Sequence, residues 1–183
     1  MRSSHDPNAR HLLALAQKVD ADLLLQSEID MAFDTLMGEL PFVTALRVAG
    51  ILAAVLTPSW SEHRRFQEEV LFPILATERN QPDDFVEFAG RIGDVHVEIG
   101  EHQREVSISL KHMAIDGRPL TSSRLDLIEQ TLALRRRHHA AENAIDLKIP
   151  KSLGDSSRDI LWRWTARQGV EPFPVNLIAK LWD

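Results

Sequence analysis

The spacing of the apolar residues constrains this chain most. They recur at steps of three and four over long stretches, and the stretches are cut by clusters of Gly, Pro and Asp. Leu15, Val19, Ile29, Phe33 and Leu36 keep that period after Asp6-Pro7, where aspartate can accept from free amides and proline suits a first helical turn. Gly38 and Pro41 stop it. A second segment runs from Pro41, is interrupted at Thr57-Pro58-Ser59 and resumes through Phe72, so it reads as one kinked helix. Ser59 and Glu62 are spaced for a capping box at the restart. After ERNQPDD a third helix is predicted from about Asp83 to Ile115, with Phe85, Phe88, Ile92, Val95 and Ile99 on one stripe, ended by Asp116-Gly117-Arg118-Pro119. A fourth starts in Thr121-Ser122-Ser123 and continues to about Lys148, before Pro150.

Sustained alternation of period two is missing, so no sheet is expected. Long amphipathic helices joined by short loops give an all-α, up-down four-helix bundle over residues 1–150. Residues 151–183 differ in character. They hold Trp162, Trp164 and Trp182, three of the four tryptophans, within RDILWRWTARQG and EPFPVNLIAKLWD. Two short helices packing on the bundle or on a partner would account for them.

A chain of 183 residues suits one domain with its own core, and 44% hydrophobic with 26% charged residues is ordinary for a folded protein. The net charge of −6 disfavours nucleic acid and anionic lipid as partners. With no cysteine, disulfides, thiolate zinc sites and cysteine nucleophiles are excluded, and any metal must be held by nitrogen and oxygen. The opening MRSSHDPNAR lacks the apolar centre of a signal peptide. The longest apolar run, Val48 to Leu56, is about half of the ~18 residues that suggest a membrane span. The expected location is cytoplasmic, with no membrane contact.

Chemistry concentrates in RRRHHAAENAIDL, residues 135–147. His138 and Glu142 are four apart and so share a helix face, which traces back through Arg135, Thr131 and Ile128 to the inner stripe. His139 points about 100° away and is expected in solvent, and the basic run from Arg135 to Arg137 reads as a solvated face. His63 has Gln67 at the same spacing, followed by Glu68 and Glu69. His102 falls in step with Val95 and Ile99 and is therefore expected to face inward; His96, six residues away, does not share its face. His5, His11 and His112 are expected in solvent.

Taken singly, an inward histidine is more often a hydrogen-bonded core residue than a ligand. A histidine and a glutamate four apart are commonest as a surface pair worth ~0.3–0.5 kcal/mol. The coincidence on three helices weighs more, because burying several imidazoles and a carboxylate without partners costs several kcal/mol and a cation removes that cost. Adjacent Glu68 and Glu69 diverge on a helix and make a poor acid pair for glycoside hydrolysis. The chain has neither a glycine-rich phosphate loop nor a serine elbow.

The run from His63 through Gln67-Glu68-Glu69 to Leu71-Phe72-Pro73 resembles the H-x-x-x-E-E-x-x-L-F-P signature of the hemerythrin-like (HHE) cation-binding family. RRRHHAAEN resembles that family's second H-x-x-x-E motif, and IGEHQREV resembles its helix-three histidine segment. The resemblance covers roughly residues 12–150. It implies four helices around non-haem iron, one or two ions, with histidine and glutamate ligands, in proteins that sense or handle a small oxidant such as oxygen or nitric oxide. Imidazole and carboxylate suit iron, and open positions admit a diatomic ligand.

Two positions depart from the pattern: Gln26 stands where helix one would offer a histidine, and Gln67 where helix two would offer a glutamate. The remaining ligand set is His63, His102, His138 and Glu142, enough for one metal ion. Glu68 could join only if helix two rotated or kinked. A metal-binding protein is expected more than a catalyst. The alternative is a metal-free bundle of the same type serving as an interaction or regulatory module, with the tryptophan-bearing tail as its contact surface and as the route to a homodimer.

Overall fold

The structure is a computed structural model and describes residues 7–38, 40–78, 82–144 and 153–167. Helix α1 spans Pro7–Met37, and its first residue is the proline whose fixed φ suits that position. Asp6, expected to cap it, lies outside the described residues. Gly38 closes the helix by donating to the carbonyls of Asp34 and Thr35 at 3.1 and 3.2 Å. Helix α2 spans Phe42–Phe66.

The interruption expected at Thr57-Pro58-Ser59 does not occur: Pro58 sits inside a continuous α2. Nor is the capping box formed. Ser59 Oγ donates instead to the Leu56 carbonyl at 3.1 Å, and Glu62 pairs with Lys18 of α1 at 3.1 Å. The irregularity comes later, as a π-helical turn over Gln67–Leu71 in which Phe72 N–H donates to the Gln67 carbonyl. Helix α3, Phe72–Glu78, continues the rod. Pro73 gives the reason: its ring would clash with the carbonyl four residues back, and one extra residue in the preceding turn relieves the conflict.

Helix α4 spans Pro82–Asp116 and ends at Gly117, whose φ of 64° is the left-handed conformation that closes a helix. Helix α5 spans Ser122–Ala144 and opens with Thr121 accepting from the amides of Arg124 and Leu125. Helix α6 spans Asp155–Arg167. Among the described residues the fold is therefore all-α, with four core rods (α1, α2 through α3, α4, α5), a short fifth helix and no strand.

Two large apolar clusters and a small third one, Trp60 with Ile99 and Leu134, make up the interior of the described residues. One large cluster joins Ile29 and Phe33 of α1, Leu52 and Leu56 of α2, Val106 and Leu110 of α4, and Ile128 and Leu132 of α5. The other large cluster joins Leu15 and Val19, Phe66, Val70, Leu71 and Ile74, Phe85 and Ile92, and the α6 segment through Leu153, Leu161 and Trp164. Each fully buried side chain of this size contributes about 1.5–3 kcal/mol. Trp164 packs on Phe66 with ring centres 6.1 Å apart, and the Arg65 guanidinium lies 5.1 Å over its ring. Trp162, on the same helix, is exposed. The second tail helix and Trp182 fall outside the described residues.

By length and composition alone, the stretch Phe42–Thr77 is apolar enough to cross a membrane. In this fold it is the rod that gives the core Val48, Leu52, Leu56 and Phe66.

Candidate metal centre

Between the two apolar clusters every core rod carries a polar layer. On α1 it is Asp22 and Gln26; on α2, Ser59, Trp60 and His63; on α4, His96 and Gln103; on α5, Arg135, His138 and Glu142, all buried. Helical steps of three and four explain the grouping, since each set lies on the stripe that its rod turns inward. Trp60 forms one wall: its ring lies 4.8 Å from that of His63, 5.6 Å from His96 and 5.3 Å from His138, and its indole N–H donates to the His96 carbonyl at 3.1 Å.

The imidazoles converge. His63, His96 and His138, all buried, place ligand atoms within 4.8 Å of one another. His63 Nε2 is 3.0 Å from His138 Nε2, and Glu142 Oε1 is 3.2 Å from His138 Nε2 and 3.6 Å from His63 Nε2. Metal–ligand bonds of about 2.0–2.2 Å place neighbouring donors roughly 2.9–3.5 Å apart, so the 3.0 and 3.2 Å separations match neighbouring donors on one ion, while those of 3.6 and 4.8 Å would have to close around it.

The opposite ring nitrogens fix the tautomers. His63 Nδ1 lies 2.6 Å from Asp22 Oδ2, and His96 Nδ1 lies 2.9 Å from Glu68 Oε1. A carboxylate oxygen accepts from a ring N–H, so each Nδ1 carries the hydrogen it donates and each Nε2 is the ring nitrogen turned inward. His96 Nε2 then faces Gln67 Oε1 at 3.1 Å, an acceptor against an acceptor unless the ring is doubly protonated or a cation lies between. Protonation is opposed: burial, assisted by the charges of His138 and His63 and resisted by Glu68, pushes His96 down to about 4. Burial likewise pushes His138 down.

For Glu142 burial acts to raise the value, but the bond to His138, the charges of His63 and His138 and the Gln67 amide outweigh it and hold the carboxyl down at about 2. Gln67 Nε2 donates to Glu142 Oε1. Glu142 Oε2 and His138 Nδ1 are buried without a hydrogen-bond partner. A buried carboxylate oxygen left in this way costs about 1–3 kcal/mol or more. An orphaned carboxylate oxygen and two acceptors set against each other, among three converging imidazoles, together make a donor set that fits a cation.

Of the residues expected to form the site, His63, His138 and Glu142 are brought together. His102 is not among them; α4 contributes His96 instead. The buried stripe of α4 runs Ile92, His96, Ile99, Gln103, Val106 and Leu110, and His102 lies half-buried beside it with Nδ1 unpartnered. His96 and Ile99 are three apart, as are Ile99 and His102. The apolar spacing therefore allowed either histidine, and only the rotation of the whole helix separates them.

On α1 the side chain that reaches the site lies one turn from the expected Gln26. Gln26 is buried, but it accepts from Arg135, while Asp22, one turn earlier, reaches His63. Arg135 is fully buried rather than solvated, although Arg136 and Arg137 are exposed, and His139 is half-buried with Nδ1 3.3 Å from Asp30. Glu68 does reach the site's edge through the π-helical turn, at 2.9 Å from His96. His112 is exposed as expected; His5 and the His11 side chain lie outside the described residues.

No protein-family model matches this chain, and no curated protein or solved structure matches it.

Proposed function

We propose that this protein is a hemerythrin-like helical bundle that holds one transition-metal ion, iron foremost, for sensing or handling a small oxidant such as oxygen or nitric oxide. One observation carries the reading: three inward imidazole nitrogens and the Glu142 carboxylate meet in a buried layer where two of the nitrogens are 3.0 Å apart. His63, His96, His138 and Glu142 would hold the ion, with Gln67 Oε1 as a fifth, weaker oxygen donor. Such a donor set suits ferrous iron and leaves room for a diatomic ligand. Asp22 and Glu68 hold two of the rings in the required tautomer. The apolar clusters on either side keep water from the layer.

Turnover is not needed for this role. Elemental analysis of untagged protein should find about one metal ion per chain. Adding nitric oxide to the iron-loaded protein under anaerobic conditions should change its iron electron paramagnetic resonance spectrum. Metal content at trace level would remove the reading, and iron that is bound but indifferent to nitric oxide and to oxygen would remove its oxidant half.

A further inference from the structure

An ion reaches a buried layer only by a path, and the four seams between the rods differ in what closes them. Between α1 and α2, Lys18, one turn before Asp22, bridges to Glu62, next to His63, at 3.1 Å. Between α4 and α5, Ile99 and Leu134 pack with Trp60. Between α5 and α1, Arg135 and His139 both reach Asp30, at 2.5 and 3.3 Å. The seam between α2 and α4 is closed in another way.

On α4, Gly93 and Gly100 stand about two helical turns apart on the face that meets α2. At Gly100 the place of a side chain is taken by the Trp60 indole, whose atoms lie 3.6 Å from where a Cβ would stand. At Gly93 the nearest atom is Glu68 Oε1, 4.0 Å away. That atom is the free end of a flexible side chain. Glu68 is 32% exposed, whereas His63, Gln67, His96, His138 and Glu142 behind it are buried. Its Oε1 accepts from His96 Nδ1 at 2.9 Å and from Arg64 Nε at 3.1 Å, and Arg64 is itself exposed, so this tether is a weak one. The π-helical turn over Gln67–Leu71 is what carries Glu68. Among the described residues, this is the one seam of the layer where the closing side chain faces an empty side-chain position.

Resting on the metal-site reading above, we propose that the gap beside Gly93 is the port through which the ion enters and leaves the centre, and that the Glu68 side chain is its door. Rotation of Glu68 about its own side-chain bonds, away from His96 and out with Arg64, opens the way past the His96 ring while the helices stay in place. Exposed side chains turn in this manner far faster than helices part. A port separates rate from affinity. Whatever fills it has to move aside as the ion passes in either direction, so filling it raises one barrier common to entry and release and leaves their ratio unchanged.

Stopped-flow measurements on the full metal-free chain test this, with Zn²⁺ as the ion. A fluorescent indicator of free Zn²⁺ reads uptake, transfer into excess chelator reads release, equilibrium competition gives the affinity, and circular dichroism is the folding control. Gly93→Leu should slow uptake and release alike by about tenfold or more and keep the affinity within about twofold. Gly93→Ala should slow both less. Glu68→Ala removes the door and should speed uptake by about tenfold. Loss of a mere support for His96 would lower the affinity without speeding uptake. Lys18→Ala, at the seam between α1 and α2, should leave uptake as it was. Uptake that is not slowed in Gly93→Leu, not faster in Glu68→Ala, or hastened by Lys18→Ala, with Zn²⁺ still bound, overturns the port and leaves the metal site standing. If Gly93→Leu does not fold, Gly93→Ala and Glu68→Ala decide. Failure of the unaltered chain to bind Zn²⁺ overturns both.

Discussion

At the scale of single residues, the structure assigns different work to neighbours that look alike. His96→Ala should reduce metal content to a small fraction of its starting value, whereas His102→Ala should leave it within error, because only His96 belongs to the convergent group. Elemental analysis of both variants checks this directly. Asp22→Asn keeps the size of the side chain but removes the charged acceptor on His63 Nδ1. Loss of such a supporting carboxylate costs about 10- to 100-fold in metal affinity, readable in a chelator competition. Gln67→Glu sets a second carboxylate beside Glu142. It should lower the melting temperature of the metal-free protein and raise the metal-dependent increase in that temperature, since the ion then offsets a repulsion that the amide now avoids.

Single-residue identity was the least legible part of the site. His138 and Glu142 were readable because one helical turn fixes their relation whatever the rest of the bundle does. His63 was readable from its motif. His96 and Asp22 were not, because each depends on how its helix is rotated against the others, and α4 offers two histidines flanking Ile99 at equal steps. Arg135 lies on the inner face that helical steps give it, and membership of a basic run does not keep it in solvent because Asp30, Gln26 and Gln103 satisfy its donors.

At the scale of elements, the rods follow the sequence closely because their ends are written in local chemistry: Pro7, Gly38, Pro41 and Gly117 each sit at a boundary. The break inside the second rod lies elsewhere than expected: the helix runs through Pro58 without ending, and the irregularity is the π-helical turn at Gln67–Leu71, just before Pro73. The turn lies where Gln67 and Glu68 address the centre, so the irregularity re-aims side chains at the site.

Helix α6 shows the opposite case of a tail element absorbed into the core. Trp164→Ala removes its anchor on Phe66 and should cost about 3–5 kcal/mol in urea denaturation, without lowering the number of ions bound per chain. A fall in metal content together with stability would tie α6 to the site instead.

At the scale of the whole molecule, a polar layer between two apolar clusters makes stability answer to protons. Stability rises with pH wherever the unfolded chain binds more protons than the folded one. His96 is held below its ordinary 6.5, at about 4, and Glu142 below its ordinary 4.5, at about 2, so the unfolded chain takes up protons first at both groups. Acid therefore works in one direction. The metal-free protein should lose stability as pH falls from about 6.5 to 4 through His96, and from about 4.5 towards 2 through Glu142. Chemical denaturation at a series of pH values with a chelator present measures this. A stability that is flat or rising as pH falls from 6.5 to 4 would contradict the neutral, buried imidazole. Bound metal deepens the same dependence, since protons compete for the ligand nitrogens.

The most direct measurement is the number of metal ions that co-purify with the untagged chain and its variant in which His63, His96 and His138 are all replaced by alanine. The polar layer predicts about one ion per chain in the unaltered protein and none in the variant. A metal-free unaltered protein that also ignores added Fe²⁺ and Zn²⁺, or a variant that keeps its ion, would show that these helices meet for some other purpose.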